Sequence, residues 1–311
     1  MGYWSSVPPK LQHSLAPILQ TIGSLSFYLF WLLAMNLASL VFTLTAAETT
    51  SMPLHTGRIL HASFLRWLER DHAELVAQLH EANHPRPYTV SNLQGALTPQ
   101  GERLKLAQGD TCWFRLTAME EFFLQCVRTS IEQHKIGPQP DDRRLVPGPI
   151  FQTRDEHPWA AATSFAQLAQ TLSREAAERP LTHSLALRFD SPTCFIENKQ
   201  ALPLPVPNYV FGYLANKWQL ASPFALPVDD VQHFVESLHL SHAKIETQRV
   251  DVQKYERTGF TGEARFALHH ALPENYRQAL HLLAKFAFFS GVGSHTTMGM
   301  GQVAQIATGK A

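Results

Sequence analysis

The sequence predicts an α+β fold in which two split β-α-β units follow one another along the chain. Its 311 residues are enough for two modest domains with separate cores, and 45% of them are hydrophobic, which suits globular folding. Strand-like and helix-like segments also alternate in the order strand, helices, strands and helix, and that order then recurs. No repeat is visible at the level of individual residues.

The first unit is predicted over residues 35–180. Residues 35–47 alternate between hydroxyl-bearing and apolar side chains, which is typical of a strand. Apolar residues at spacings of three and four then predict two helices, at 54–70 and 71–82, with a break near Asp71. The other predicted elements are strands at 88–97 and 111–118, a helix at 120–134, a charged and proline-rich break at 141–149, a strand at 150–153 and a helix at 164–178.

The second unit is predicted over residues 181–311 and repeats the same order of elements. It opens with a strand at 184–189 and ends with a helix at 274–289, a glycine-rich loop and a closing strand at 302–307. Between them the pattern predicts helices at 209–219 and 231–240 and strands at 242–252 and 259–268.

Residues 1–34 are interpreted as an extension that precedes the first strand. No formally charged residue lies between Leu11 and Ala47, and residues 22–44 alone are long enough to cross a hydrocarbon core of roughly 30 Å. A membrane anchor is therefore the alternative, although the hydroxyl alternation after Met35 favours a strand. No basic region followed by a small-residue cleavage site is present, which argues against a secretory signal.

The charge and cysteine content limit the classes of partner. The 26 basic residues balance the 26 acidic ones, so any polyanion must be held by a local patch and not by a global cationic field. The 16 histidines add charge wherever a bound phosphate favours their protonated form. Three widely spaced cysteines provide neither a disulfide framework nor a zinc motif, and they fit a reducing cytoplasm.

Four of the 16 glycines lie close together near the C-terminus, directly after an apolar, helix-like run. Glycine-rich backbone can approach a ligand closely, and successive N–H groups form a concavity for phosphate oxygens. The spacing fits neither a Walker loop nor a Rossmann loop. We therefore predict a polyanion-binding loop, with a tight helix-to-strand turn as the alternative. Its residues are Gly291, Gly293, Ser294, His295, Thr296, Thr297, Gly299 and Gly301.

This glycine pattern, just before the closing strand, resembles that of the CRISPR-associated repeat-processing endoribonucleases, members of the repeat-associated RNA-binding superfamily. Stretches upstream are also similar to that family, and the resemblance covers roughly residue 35 to the end. It implies two tandem ferredoxin-like domains and an RNA-binding role for the loop, in which His295 replaces a residue that is commonly lysine. The matching stretches are Gly57-Arg58 to Leu68, Leu79-His80-Glu81, Arg86 to Gly95, Phe189 to Phe195, and the Pro-Leu-Pro run before Tyr209.

The candidate chemistry lies in a histidine cluster of the first unit, formed by His55, His61, His72, His80 and His84. Metal-free RNA cleavage needs a base for the ribose 2′-OH, an acid for the departing 5′-oxygen and positive charge beside the phosphate. His61 follows Arg58 by three residues, so both side chains share one helix face. The resemblance implies that His80 is the catalytic histidine and that Arg86 is a basic RNA contact. We predict His80 as the main catalytic residue, His61 as its partner and Arg58 as the phosphate clamp.

Each assignment has a structural alternative. His80 at a helix C-terminus can simply complement the helix dipole, His61 can be a hydrogen-bonded boundary residue, and Arg58 can pair with a surface carboxylate. His55 and His72 are expected to be solvated. The sequence contains no His-Glu-x-x-His motif, no Cys-x-x-Cys pair and no dense aspartate cluster, so no metal and no cofactor are predicted.

A second RNA contact is predicted on the strands at 242–268, where alternation can place the basic and acidic side chains on different faces. The basic residues are Lys244, Arg249, Lys254, Arg257 and Arg265, interspersed with Glu246, Asp251, Glu256 and Glu263.

The sequence therefore predicts a cytoplasmic, metal-independent endoribonuclease that cuts CRISPR repeat transcripts into guide RNAs. Its expected products are a 2′,3′-cyclic phosphate, or a 3′-phosphate derived from it, and a 5′-OH. One alternative is a non-catalytic RNA-binding subunit of a CRISPR effector complex, and another is a membrane-anchored RNA-binding protein. The repeat sequence, the cut position, the oligomeric state and the choice of base and acid between His61 and His80 stay open.

Overall fold

The computed structural model describes residues 36–81, 85–140, 142–252 and 255–306. The predicted extension or anchor at residues 1–34 lies outside the described residues, as do Met35, His84 and Lys254. Within the described ranges, no helix combines the length and the apolar character that a bilayer crossing needs.

The first half of the described chain contains nine strands and three helices. In chain order they are β1 Leu37–Ala46, β2 Thr50–Pro53, α1 Gly57–Glu81, β3 Tyr88–Val90, β4 Gln94–Gly95, β5 Thr98–Gln100, β6 Arg103–Leu106, β7 Thr111–Ala118, α2 Glu121–His134, β8 Leu145–Phe151, β9 Ala161–Thr163 and α3 Phe165–Glu178. Its main sheet has the order β3-β7-β1-β8, and each neighbouring pair is antiparallel. Helices α1 and α2 connect these strands, which gives the β-α-β-β-α-β arrangement of a ferredoxin-like unit.

The second half repeats this arrangement. Its elements are β10 Ser184–Thr193, β11 Phe195–Glu197, β12 Gln200–Leu202, α4 Pro207–Ala221, α5 Val231–Glu236, β13 Leu238–Val252, β14 Tyr255–Leu268, α6 Glu274–Ser290 and β15 Val303–Ile306. The sheet order β13-β14-β10-β15 is the ferredoxin-like order once more, with antiparallel neighbours. The predicted tandem fold class is confirmed.

The predicted break near Asp71 is a kink inside α1. His72 has non-helical backbone angles, φ −135° and ψ 51°, so the helix changes direction there without ending. This kink separates the N-terminal segment, which carries Arg58 and His61, from the C-terminal segment, which ends near His80. Arg58 and His61 therefore lie on one segment of α1 and His80 lies on the other, and the two segments point in different directions.

Two predicted elements were wrong in extent. β8 begins at Leu145, within the stretch that we predicted as a break, because an edge strand tolerates Pro147 and Pro149, which lack a donor N–H. The helix predicted at 231–240 ends at Glu236, because Leu238 already pairs with Leu268 at the start of the long β13–β14 hairpin. Tertiary pairing overrides the local apolar pattern at both places.

Each half has its own hydrophobic core. The first lies between the main sheet and helices α1 and α2, and the second lies between the other sheet and helices α4 and α6. Leu37, Met119 and Phe165 of the first half belong to the second core, so the two halves share packed side chains. The helix α3, which we expected to close the first unit, contributes Phe165 and Leu172 to this second core.

Helix α6 is buried on nearly all sides because it also contacts β1, β3 and β7 of the first half. Arg115 of β7 holds α6 against the first half of the molecule. The Arg115 side chain is 1% exposed, packs against the rings of both Trp159 and Phe288, and donates from Nη2 to the Phe288 carbonyl over 2.9 Å. Burial lowers the pKa of Arg115 to about 9, which still leaves it charged near neutrality. The junction fixes the end of α6, from which the glycine-rich loop departs.

Candidate active site

A surface cavity of about 490 Å³ brings together four residues that the sequence singled out. The helix α1 supplies Arg58, His61 and His80, and the segment that follows it supplies Arg86. Met298 of the glycine-rich loop closes one side, so the two motifs that are far apart in sequence meet at this cavity. The remaining lining residues are Ile59, Ala62, Leu65 and Arg66.

The fold explains why these side chains converge. Arg58 and His61 lie one turn apart near the start of α1, and the kink at His72 precedes the segment that carries His80. Arg86 Nη2 donates to the His80 carbonyl over 3.5 Å, a long hydrogen bond that keeps the segment after α1 beside the helix end. The position of His80 in the last turn fits the dipole-complementing role and the catalytic role equally well.

The cavity is cationic although the whole chain has no net formal charge. Arg58, Arg66 and Arg86 line it, and none of its described lining residues is a carboxylate. Arg58 and His80 are exposed, while Arg86 is half-buried. Such a site attracts an anion through local charge, which is needed because the whole chain has no net formal charge. Its guanidinium groups suit the binding of a phosphate.

His61 forms the inner wall of the cavity. Its Nε2 lies 2.8 Å from the Tyr88 hydroxyl, and the two rings are stacked with centroids 5.9 Å apart. Burial lowers the pKa of His61 to about 4, with smaller contributions from the charges of His80 and Arg86. His61 is therefore neutral near pH 7 when no RNA is bound.

The other described members of the histidine cluster, His55 and His72, lie outside the cavity. His55 is half-buried, and its Nε2 lies 3.0 Å from the backbone carbonyl of Arg249 on the β13–β14 hairpin. His72 is half-buried at the kink, and its Nε2 has no partner within the described structure. The expectation that both are solvated was wrong, because long-range packing covers each of them in part.

The glycine-rich loop runs from the end of α6 to β15, and all four of its glycines are buried. Each has a positive φ, between 62° and 90°, which favours glycine. A Cβ at Gly299 would overlap the Asn92 side chain, and one at Gly293 would overlap the Cys194 carbonyl. These glycines therefore allow close approach of the loop to the protein itself.

Hydrogen bonds attach the loop to both halves of the molecule. The Gly299 N–H donates to the Val90 carbonyl over 2.9 Å, and the Val90 N–H donates to the Thr296 carbonyl over 3.0 Å. On the second half, the Ser294 N–H donates to the Cys194 carbonyl over 2.8 Å. The loop is thus a bridge between β3 of the first half and the end of β10.

Asn92 connects the loop to the start of the helix α1. Its Oδ1 accepts from the Gly57 N–H over 2.7 Å, and its Nδ2 donates to the Gly299 carbonyl over 3.1 Å. Gly57 packs so tightly that a Cβ there would overlap the Met298 carbonyl. A shift of the loop would therefore move the helix end that carries Arg58 and His61.

The polar side chains of the loop are less enclosed than its glycines. Ser294, His295 and Thr297 are half-buried, whereas Thr296 is 7% exposed. Burial, followed by the charge of Arg257, lowers the pKa of His295 below its ordinary value. His295 is also the one residue of this loop other than glycine with a left-handed backbone, φ 60°.

The β13–β14 hairpin does not separate the two signs of charge. Lys244 lies opposite Glu263 in the antiparallel register, so a basic and an acidic side chain share one face. On the other face, Arg249 Nη1 lies 3.6 Å from Glu256 Oε2. The sequence left the register open, and in the described part of the hairpin the observed register pairs opposite charges across the strands, so the basic and acidic side chains are not separated onto different faces.

Several residues of the site were not predicted from the sequence. They are Tyr88, Asn92, Arg66 and Met298. Tyr88 and Asn92 lie inside the stretch from Arg86 to Gly95, so the family motif marked their neighbourhood but not their contacts. Among the described residues, no group of three or more histidine, cysteine, aspartate or glutamate side chains is placed to hold a metal ion.

Two ferredoxin-like units joined by a glycine-rich loop, with a cationic histidine cavity beside it, define a protein of the repeat-associated RNA-binding class. Two family models match this chain. One is the CRISPR Cas6 N-terminal domain, over residues 37–170, and the other is the CRISPR-associated endoribonuclease Cas6, over residues 187–303. The chain therefore belongs to the Cas6 family of CRISPR-associated endoribonucleases.

Curated relatives and solved structures agree with this assignment. The CRISPR-associated endoribonuclease Cas6 of two Mycobacterium tuberculosis strains is 29% identical over 126 residues, and the match spans 40% of this chain and 40% of the relative's length. A Thermus thermophilus Cas6 is 28% identical, with a TM-score of 0.63 over 88% of this chain and 99% of that one. Its product complex, also 28% identical, has a TM-score of 0.69 over 87% of this chain and 100% of that one.

Proposed function

We propose that this chain is an endoribonuclease that cuts CRISPR repeat transcripts into guide RNAs at the cavity lined by His61 and His80. The observation that carries the proposal is the meeting of two histidines and three arginines at one cavity, beside Met298 of the glycine-rich loop. Membership of the Cas6 family and the similarity to a Cas6 product complex support an RNA substrate.

In the proposed reaction, the ribose 2′-oxygen forms a bond to the adjacent phosphorus while the bond from phosphorus to the 5′-oxygen breaks. One group takes the 2′-OH proton, and another protonates the departing 5′-oxygen. The products are a 2′,3′-cyclic phosphate and a 5′-OH, with no metal required. Exposed His80 is the main proton-transfer residue, and His61 acts at the same phosphate.

Arg58 and Arg86 supply positive charge beside the pentacoordinate phosphate, where negative charge accumulates. Both line the cavity, where the Arg58 side chain is exposed and the Arg86 side chain is half-buried. The neighbouring loop holds the RNA strand through the half-buried side chains of Ser294, His295 and Thr297. In this proposal, RNA binding at the loop and RNA cleavage at the cavity take place at neighbouring sites on one surface.

The deciding experiment incubates purified protein with labelled repeat RNA in excess EDTA. We expect cleavage at one position and a product that ends in a cyclic phosphate. Tight binding without cleavage would instead assign the chain to the alternative class, a non-catalytic RNA-binding subunit of an effector complex. A substrate in which a 2′-deoxy sugar replaces the ribose 5′ to the cut provides the control, because it lacks the attacking hydroxyl and should remain whole.

A further inference from the structure

Tyr88 lies behind His61, inside the matching stretch from Arg86 to Gly95, although the sequence assigned it no role. It is 1% exposed, and its ring is stacked on Phe123 with centroids 4.9 Å apart and planes 6° from parallel. Its hydroxyl lies 2.8 Å from His61 Nε2. Within the described structure, this histidine nitrogen is the hydroxyl's single hydrogen-bond partner.

The direction of this hydrogen bond follows from burial. A tyrosine O–H is a donor that needs an acceptor when it is removed from water, and His61 Nε2 is the acceptor within reach. If Nε2 carried the proton instead, the buried O–H would have no acceptor, which costs about 1–3 kcal/mol. Tyr88 therefore donates, Nε2 accepts, and the proton of the neutral ring resides on Nδ1.

Burial and nearby charge keep His61 in this neutral form. Burial is the largest cause, and the charges of His80 and Arg86, which line the same cavity, oppose protonation of the ring as well. The phenol of Tyr88 remains protonated because burial raises its pKa as well. Both partners of the bond are thus fixed in one protonation state.

We infer that Tyr88 is a positioning residue that holds His61 as the Nδ1–H tautomer, with its N–H available to a phosphate oxygen in the cavity. This inference rests on the proposed function for its catalytic consequence. With Nε2 engaged by Tyr88 and Nδ1 protonated, His61 has no free lone pair for the 2′-OH proton. The base role therefore falls to His80, and the His61 Nδ1–H donates a hydrogen bond to the negative charge that develops on the phosphate.

The first test measures the tautomer without RNA. Nitrogen-15 NMR of the histidine rings should show a protonated Nδ1 and an unprotonated Nε2 for His61 from pH 8 down to about pH 5, in line with a pKa of about 4. In Tyr88→Phe, which keeps the stacked ring but removes the hydroxyl, the Nε2 resonance should lose its hydrogen-bond shift. A protonated Nε2 in the wild-type protein would overturn the inference, whatever the protein does to RNA.

The second test measures catalysis. Tyr88→Phe should lower the cleavage rate constant by about tenfold, the value of one net hydrogen bond, with little change in RNA affinity. Tyr213→Phe is the matched control, because it removes the hydroxyl of a half-buried tyrosine on α4. Wild-type cleavage and an unchanged pH profile in Tyr88→Phe would refute the positioning role. Absence of cleavage in every variant would count against the proposed function, while the NMR result would still decide the tautomer.

Discussion

The histidine cavity and the glycine-rich loop are neighbours, yet they are built in opposite ways. The cavity presents exposed side chains such as Arg58 and His80 from a helix, so the groups that act on a ligand point away from the protein. The loop turns its buried glycines inward and uses its backbone to join the two halves. A ligand can reach the loop mainly through Ser294, His295 and Thr297.

This difference shows that a dense group of glycines indicates close contact with the backbone. It does not reveal whether a ligand or the protein itself makes that contact. The Gly299 and Gly293 positions are filled by Asn92 and Cys194 of the same chain. The histidines give a more specific signal, because two of them meet three arginines at one cavity. The following predictions separate the chemical role of the cavity from the packing role of the loop.

The largest effect is expected from His80→Ala. Loss of a general acid or base typically lowers the rate by about 10²- to 10⁴-fold, and because His80 is exposed, its loss should leave the fold and RNA affinity nearly intact. Single-turnover cleavage and filter binding measure the two effects. The matched control is His242→Ala, which removes an exposed histidine of the β13–β14 hairpin. Unchanged turnover in His80→Ala would remove this residue as the main proton-transfer group.

Gly299→Val should act through stability before it acts on RNA. The new side chain would overlap Asn92 and would require a φ of 90°, so the free energy of unfolding should fall by roughly 1–3 kcal/mol. Thermal denaturation measures this change. Gly212→Ala in α4 is the control, since a Cβ there meets no atom closer than 4.0 Å. Full stability with lost RNA affinity would show instead that the glycine faces the ligand.

Asn92→Ala should uncouple the loop from the helix α1. It removes the acceptor of the Gly57 N–H and the donor to the Gly299 carbonyl, a loss of about 1–2 kcal/mol if water reaches the freed groups. We expect weaker cleavage as well, because Arg58 follows Gly57 directly. Asn92→Asp keeps the acceptor and loses the donor, so denaturation and cleavage of both variants distinguish the two bonds. Equal wild-type behaviour of both would mean that Met298 packing alone holds the junction.

The smallest effect concerns the pH dependence of RNA binding. Burial, followed by the charge of Arg257, holds the pKa of His295 below its ordinary value in the free protein, so a bound phosphate favours proton uptake and the affinity should rise as the pH falls. His295→Lys supplies a permanent charge and should bind up to about tenfold more tightly at pH 7.5, with a flatter pH profile. Titrations at pH 5.5 and 7.5 compare the two proteins. The same pH slope in both would assign the titration to another group.

The fold was largely predictable from local patterns. Alternation identified β1 and β7, and three-and-four spacing identified α1 with its break close to His72. The short strands β2, β5, β6, β9, β11 and β12 were missed because three or four residues are too few to show a period. The start of β8 was missed because a proline-rich sequence forms a strand there only through its pairing with β1.

The candidate site was predictable in its residue types and unpredictable in its contacts. Five histidines lie within 30 residues of the sequence, and the cavity contains His61 and His80 of these. Which of the five histidines line the cavity depends on how α1 bends and on which residues pack against it. Tyr88 reaches His61 because β3 lies beneath the helix, a relation that spans 27 positions in the chain.

The sequence by itself determined the order of strands and helices, the family motifs and the supply of imidazole and guanidinium groups, because periodicity and residue chemistry are local properties. Only the tertiary structure decided which histidines meet, that the glycines face the protein, and that opposite charges share the faces of the β13–β14 hairpin. Those outcomes depend on register, on a kink and on burial. Each of these is set by packing between segments that are distant in the chain, which a local pattern does not encode.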